Sequence, residues 1–224
     1  MQYYHVDVSW DDKLLKRKGQ PQGVEIVSKG WNAYMRANLP TWAPDVYNRL
    51  SQGPLFTEMP RPIVGKLTYP KSPIWDYMEA YPFRAGMHAC VSERVKTLFE
   101  KLQVSQQEYR LEPISVAGVN EPLYLLFTPQ IVLWKDLDVD YESCRFVDFH
   151  NETVPNVTEQ MFKSQDCYPR KVAARKQSAF KDILDIQYCP SVFFSDRLLN
   201  AFYEEEFIGI DVIGRYFRID LSFV

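Results

Sequence analysis

Two short stretches of the chain share one pattern, and they decide the fold that we predict. Residues 90–95 read Cys-Val-Ser-Glu-Arg-Val, and residues 193–198 read Phe-Phe-Ser-Asp-Arg-Leu. Phe99 and Phe202 stand at the same position after their serines. This order is typical of a buried strand, a serine N-cap, an acid favoured by the helix dipole, and an amphipathic helix. We therefore predict two strand–helix units whose helices begin after Ser92 and Ser195, with each arginine on the outside.

Apolar runs on both sides of these units predict further strands. The opening segment alternates, with Tyr4, Val6 and Val8 on one face, so His5 on the other face is expected at the surface. The chain ends in a second alternating segment. The other predicted strands are Val24–Val27, Tyr109–Val116, Leu123–Phe127, Arg145–Phe149, Phe207–Val212 and Phe217–Phe223.

Proline dominates part of the N-terminal third. Residues 40–73 hold seven of the fifteen prolines, which remove backbone donors from helices and sheets, so this region is predicted to be mostly irregular. A short helix is expected at 31–37. Another is expected to begin at Ser72-Pro73, where serine can cap and proline suits the first turn, and to end before Pro82.

These elements predict an α+β fold with a mixed or largely antiparallel sheet flanked by a few helices and an irregular, proline-rich N-terminal third. We divide the chain into a wrapping region, residues 1–86, and an α+β body, residues 87–224. The two parts are alternatively one continuous domain.

Composition excludes several classes of protein. The net charge of −3 and pI near 5.7 are too mild for a typical nucleic-acid-binding domain, and 46% apolar residues favour a folded chain. Four scattered cysteines without a CxxC pair indicate reduced thiols rather than disulfides or zinc. No segment resembles a signal peptide or a membrane span, so we predict a cytoplasmic protein.

The candidate motifs for chemistry are incomplete. Gly65-Lys66 lacks the remainder of a phosphate-binding loop, and Asp136, Asp138 and Asp140 lack the glycine and the final carboxylate of a calcium loop. His88 with Cys90, and Cys144 with His150, lack an orienting third group in sequence. Neither Ser92 nor Ser195 has the Gly-x-Ser-x-Gly setting of a nucleophile elbow. We expect no catalytic residue, no cofactor and no metal.

Charged segments are the remaining candidates for binding. The segment Lys163 to Lys181 is basic and is predicted to form one basic helix face. The acidic residues form two groups that could receive a basic partner protein: Asp136, Asp138, Asp140 and Glu142, and then Glu204, Glu205 and Glu206.

From Met87 to the C-terminus the chain resembles an immunity-protein family of bacterial polymorphic toxin systems, whose toxins are delivered by contact or by type VI secretion. The resemblance rests on the repeated strand-Ser-acid-Arg-helix unit, the Pro-Leu-Tyr-Leu-Leu-Phe strand at 122–127, and Gly209 before the last strand of the second unit. It implies a cytoplasmic, non-catalytic protein that binds its cognate toxin and blocks it. The family's recognition surface differs from pair to pair, so the resemblance transfers no site residue.

Two other functions stay open at this point. The chain could be an enzyme without a linear motif, for instance a hydrolase assembled from His88, Cys90 and carboxylates in a cleft with shifted acidities. It could also be a regulatory protein that contacts nucleic acid through the basic segment at 163–181.

Overall fold

The computed structural model describes residues 2–9, 22–38, 59–82, 86–129, 131–158, 160–161, 166–175, 182–189, 191–213 and 219–223. Most of the proline-rich stretch at 40–73 lies outside these residues. In the described remainder, residues 64–67 form a strand. The helices are α1 (Trp31–Asn38), α2 (Glu93–Lys101) and α3 (Asp196–Glu204), with a 3-10 helix at Trp134–Asp136.

The strands fall into two groups. Six strands close a barrel in the order β2-β3-β6-β7-β5-β4. Its members are β2 (Gly23–Ile26), β3 (Val64–Leu67), β4 (Tyr77–Tyr81), β5 (Met87–Ser92), β6 (Arg110–Ala117) and β7 (Leu123–Phe127). Strands from both sides of residue 86 therefore belong to one barrel.

The other strands form a seven-stranded sheet in the order β10-β11-β1-β13-β9-β8, with β12 also paired to β1. Its members are β1 (Tyr3–Val8), β8 (Arg145–Val147), β9 (Tyr168–Ala174), β10 (Ile183–Asp185), β11 (Val192–Ser195), β12 (Ile210–Val212) and β13 (Asp220–Phe223). β13 runs parallel to β9, whereas β1 is antiparallel to each of its partners. The prediction of an α+β fold with mixed sheets is confirmed.

Strand β1 lies between two hydrophobic cores. Val6 and Val8 belong to a core shared with the barrel and with helices α2 and α3, whereas Tyr3 belongs to a smaller core on the other face. His5 is consequently 0% exposed and stacks on Phe193, with 4.9 Å between ring centroids. The prediction of a surface histidine was wrong because β1 is an internal strand covered on both faces.

The two predicted strand–helix units are present and have the same local structure. Strand β5 leads into α2, and β11 leads into α3. An antiparallel strand precedes each of these strands: β4 pairs with β5, with Tyr77 opposite Val91, and β10 pairs with β11, with Ile183 opposite Phe194. Gln103 and Glu206 adopt matching left-handed conformations, at φ 54° in both, just after the helices. The sequence repeat is thus also a structural repeat.

A buried aspartate organises the start of each helix. Asp76 accepts hydrogen bonds from the Ser92 hydroxyl at 2.7 Å and from Arg94 at 2.9 Å. Asp182 accepts from the Ser195 hydroxyl at 2.9 Å and from Arg197 Nε at 3.1 Å. We call these two groups, Asp76-Ser92-Arg94 and Asp182-Ser195-Arg197, the clamps.

The clamps also join the two units. Arg94 donates to the carbonyl of Glu205 at 2.8 Å, and Arg197 donates to the carbonyl of Leu102 at 3.1 Å. Both carbonyls stand at the C-terminal end of the opposite helix, where backbone acceptors lack helical partners and the dipole favours a cation. The arginines, about half exposed as expected for the outer face, therefore cross-link the repeats.

Three further local predictions need correction. The Ser195 side chain caps α3 by accepting from the Leu198 amide at 3.2 Å, whereas the Ser92 side chain bonds Asp76 and accepts no cap bond. The helix expected after Ser72 is strand β4, which pairs with β2 and β5. The helix expected within 163–181 is strand β9 over its described centre, paired on both edges.

Candidate partner-binding surface

The first acidic group forms a bend around the end of β9. It begins in the 3-10 helix at Trp134–Asp136, and Asp138 then takes a left-handed conformation with φ 48°. Val139 pairs with Ala174, and the Asp138 carbonyl accepts from the Arg175 amide at 3.0 Å. The acidic run is therefore fixed to the sheet by backbone hydrogen bonds.

One carboxylate of this group, that of Asp140, is hydrogen-bonded within the protein. Asp140 accepts hydrogen bonds from Arg175 at 3.1 Å and from the Ser143 hydroxyl at 2.9 Å. Asp136, Asp138 and Glu142 are exposed. These three carboxylates, rather than all four predicted, are presented to solvent by the bend.

An aromatic side chain stands within the same bend. Tyr141 is 42% exposed, and its hydroxyl accepts a hydrogen bond from Trp134 Nε1 at 2.9 Å. Its ring lies 6.0 Å from that of Phe146. Because its hydroxyl bonds one buried residue and its ring packs near another, Tyr141 presents an exposed aromatic surface in a fixed orientation.

A hairpin beside strand β8 presents a second aromatic residue. Phe149 is 80% exposed, and its ring centroid lies 3.7 Å from that of His150. The Asp148 carboxylate accepts from the amides of His150 and Glu152, each at 2.9 Å. Asn151 has φ 65° and accepts a side-chain hydrogen bond from Arg170 at 3.3 Å. The tip is therefore ordered by its own hydrogen bonds.

The bend lies at the Ala174 end of β9 and the hairpin tip at its Tyr168 end, so both border the same sheet edge. We call their residues the edge surface: Asp136, Asp138, Tyr141, Glu142, Phe149 and His150. Partner-binding hot spots are typically aromatic side chains surrounded by polar residues, and prior ordering of the binding residues lowers the entropic cost of association. The edge surface therefore has the composition and local rigidity of a protein-binding site.

The second acidic group lies at the C-terminal end of α3. Glu205 pairs with Lys101 at 2.7 Å, and its carbonyl is held by Arg94. Glu204 and Glu206 are exposed, beside Tyr203 at 48% and Ile208 at 41% exposure. The two predicted acidic groups thus belong to different elements, and each accompanies an exposed aromatic residue that the sequence analysis did not select.

The charge pattern drew attention to these segments, but not to their aromatic residues. Phe149 was assigned to a predicted strand at 145–149, whereas β8 ends at Val147 because Asp148 forms a turn. Tyr141 stands where a calcium loop would have its glycine, and no binding role was predicted for it. Its position between Asp140 and Glu142 was the available signal.

The first cysteine–histidine pair, His88 and Cys90, is buried on strand β5. Cys90 is 0% exposed, and burial raises the pKa of its thiol to about 12, which keeps it protonated. His88 is 7% exposed and contacts Thr128 Oγ1 at 2.8 Å and Asp185 at 3.1 Å. These contacts tie the barrel to the chain at β10.

The other pair, Cys144 and His150, is divided between two environments. The Cys144 sulfur accepts from the Ala173 amide at 3.2 Å, and partial burial raises the pKa of the thiol. His150 lies on the exposed hairpin tip. Across the described ranges, no three His, Cys, Asp or Glu residues are arranged to hold a metal ion.

Two of the three basic side chains in the described part of the basic segment bond neighbouring side chains. Arg170 donates to Asn151, and Arg175 pairs with Asp140. Lys171 is exposed on β9. Lys163, Lys176 and Lys181 lie outside the described residues.

Glu79 on β4 provides a test of pH dependence. Burial, with a contribution from the charge of Asp7, raises the pKa of Glu79 from 4.5 to about 7. The folded state therefore binds a proton that the unfolded chain releases first. The stability associated with this proton is complete below pH 4.5 and is lost as the pH rises through about 7.

We expect the Glu79→Gln variant to be more stable than the wild type at pH 8 by about 1 kcal/mol, after allowance for solvent screening. The gain should nearly disappear at pH 4.5, and urea unfolding at both pH values measures it. Glu25→Gln, on the neighbouring strand and exposed, is the matched control. An equal gain at both pH values would contradict the assignment to Glu79 ionisation.

No protein-family model matches this chain, and no curated protein matches it. In the described part of the chain, no helix is both long enough and apolar enough to cross a membrane.

Proposed function

We propose that this protein is a bacterial immunity protein that binds a cognate secreted toxin in the cytoplasm and neutralises it by forming a protein–protein complex. The resemblance of residues 87–224 to immunity proteins of polymorphic toxin systems supports this function. The structural observation that carries the proposal is Phe149, 80% exposed on a hydrogen-bonded hairpin tip at the Tyr168 end of β9, on the sheet edge whose Ala174 end carries the acidic bend.

The edge surface suggests how the complex would form. Phe149 and Tyr141 would enter recesses of the toxin and supply the apolar contact, since buried aromatic anchors dominate binding energies. Asp136, Asp138 and Glu142 would attract a basic toxin surface and orient it, because complementary charge mainly increases the association rate and selects the partner. Neutralisation requires no chemical step by this chain: it would cover the toxin's active site or hold the toxin inactive.

The contacts favour this function over the two alternatives. A hydrolase using Cys90 would need an accessible thiolate, whereas this thiol is buried and protonated. A nucleic-acid-binding protein would need free cationic side chains, whereas Arg170 and Arg175 are held by neighbouring side chains.

The Phe149→Ala variant should bind the toxin encoded beside this gene at least 30-fold more weakly, because loss of an aromatic hot spot costs about 2 kcal/mol or more. Tagged protein is purified from cells carrying the native gene neighbourhood, and the toxin is identified by mass spectrometry. Calorimetry then compares the variants. The wild type is expected to form a one-to-one complex of nanomolar or tighter affinity and to protect cells that express the toxin.

Val27→Ala is a matched control, since Val27 is also exposed, at 47%, but follows β2 on the barrel. It should bind and protect like the wild type. Absence of a stoichiometric protein partner, or retention of RNA or a small molecule instead, would refute the proposed function. Full affinity in Phe149→Ala would refute the role of the edge surface alone.

A further inference from the structure

The outer face of the barrel carries a groove formed by two adjoining cavities at β6 and β7. One has a volume of about 600 Å³ and the other about 490 Å³. They share Pro113 and Tyr124, which pair across β6 and β7, so the two cavities lie on either side of this pair.

Apolar side chains and proline rings line most of the larger cavity, whereas the smaller cavity also has polar walls, from Lys96, Glu100, Gln106 and Arg110. In the larger cavity the buried residues Ile63, Ile114 and Leu123 form the floor. The walls contain prolines from three segments: Pro62, Pro113, Pro122 and Pro129. Since proline has no backbone N–H, these walls offer few donors for pairing with an added strand, and recognition would depend on side-chain pockets.

The two tyrosines of the groove are held in place. Tyr124 donates its hydroxyl hydrogen to the Glu93 carboxylate, and Lys96 lies 5.9 Å from its ring centroid. Tyr109 accepts a hydrogen bond from Gln106 at 2.7 Å. Tyr109 is only 3% exposed, so Tyr124 supplies the aromatic surface of the groove. A fixed aromatic surface suits polyproline II segments, which are extended before binding and lose little entropy.

Charge distinguishes the larger cavity. Arg61 lines this cavity and is 46% exposed. Its Nη2 donates a hydrogen bond to the carboxylate of Glu112. Glu112 is 4% exposed and also contacts Arg110 Nε at 2.5 Å. Glu112 thus holds the Arg61 side chain in place, and the other N–H groups of the guanidinium can donate to a second carboxylate at the rim of the groove.

From this groove we infer a binding site for an extended, proline-containing peptide segment of a partner protein, with an acidic residue placed against Arg61. Two apolar or proline side chains of the segment would occupy the two cavities on either side of Pro113 and Tyr124. The site is separate from the edge surface and does not depend on the identity of the toxin, so its failure would leave the proposed function unaffected.

The test uses the full chain and N-acetylated heptapeptides of sequence Pro-Pro-Leu-Pro-Pro-Leu-Pro, extended by aspartate at the amino end, at the carboxyl end, or at neither. Binding is followed by two-dimensional NMR and by fluorescence titration. At least one aspartate peptide should bind saturably and about fivefold or more tightly than the unextended peptide, since charge-assisted hydrogen bonds are about twice as strong as neutral ones.

Arg61→Gln keeps a hydrogen-bond donor for Glu112 but removes the charge, and it should abolish the preference for the aspartate peptide. Tyr124→Ala should weaken every peptide about tenfold through loss of the shared wall. Arg145→Ala, which removes an exposed arginine on β8, should bind like the wild type. The inference is overturned if no peptide binds saturably, or if Arg145→Ala and Arg61→Gln have the same effect.

Discussion

The Asp182→Ala variant is expected to unfold with a free energy about 3 kcal/mol below that of the wild type, because it removes the centre of one clamp. The Asp182 side chain is 4% exposed and accepts hydrogen bonds from Arg197 and from the Ser195 hydroxyl. Without it, the fully buried Ser195 hydroxyl has lost its acceptor, and an unsatisfied buried polar group carries its full desolvation cost. Arg197 is 48% exposed and can be rehydrated, which limits the loss.

Urea denaturation measures this effect. Asp196→Ala is the control. It removes an acid in the first turn of α3 that is outside the clamp, and it should cost only about 0.5 kcal/mol. Asp76→Ala should resemble Asp182→Ala, since Asp76 accepts from Ser92, Arg94 and the Ile208 amide in the equivalent arrangement. A loss below 1 kcal/mol at both aspartates would show that the clamps are not stabilising.

The Gly209→Ala variant is expected to lose about 3 kcal/mol or more of folding free energy, enough to reduce the yield of folded protein. Gly209 has φ +104°, a conformation that side-chain-bearing residues rarely adopt. An added Cβ would lie 2.1 Å from the Tyr77 carbonyl oxygen and 3.0 Å from Trp75. Because the closest atom belongs to the backbone of β4, a side-chain rotation cannot relieve the overlap.

Gly118→Ala separates the two causes. Gly118 also has positive φ, +76°, but an added Cβ there would meet no atom within 4 Å. This control should cost only the conformational strain, about 1 kcal/mol. Equal melting temperatures for the two variants would contradict the steric explanation, whereas a much lower value for Gly209→Ala would confirm the close approach between the barrel and the second unit.

The two strand–helix units show how far local sequence can predict structure. A serine followed by an acid and an amphipathic run marks a helix start through short-range contacts, so the beginnings of α2 and α3 were predictable. The acceptors of Arg94 and Arg197 were not, because each arginine bonds a carbonyl in the other unit, distant in the sequence. The Ser92 hydroxyl likewise bonds Asp76 rather than capping its helix.

The candidate site was predictable only in part, for a similar reason. Charge patterning identified both acidic segments, since solvation of acidic runs depends on composition. It could not distinguish the exposed Asp138 from Asp140, which is engaged by Arg175 across the β9 edge. Nor could it show that Asp148 ends β8 and exposes Phe149.

Local sequence was sufficient to predict the α+β class, the two repeated units and the existence of strand β1, because these depend on the period of apolar residues and on helix-start chemistry. Tertiary structure alone decided which strands close the barrel and why His5 is buried. It also decided that the two arginines join the repeats, and that Phe149, Tyr141 and the groove at Tyr124 face solvent. Burial and long-range hydrogen bonding depend on which elements come together, and local sequence does not encode that choice in a readable pattern.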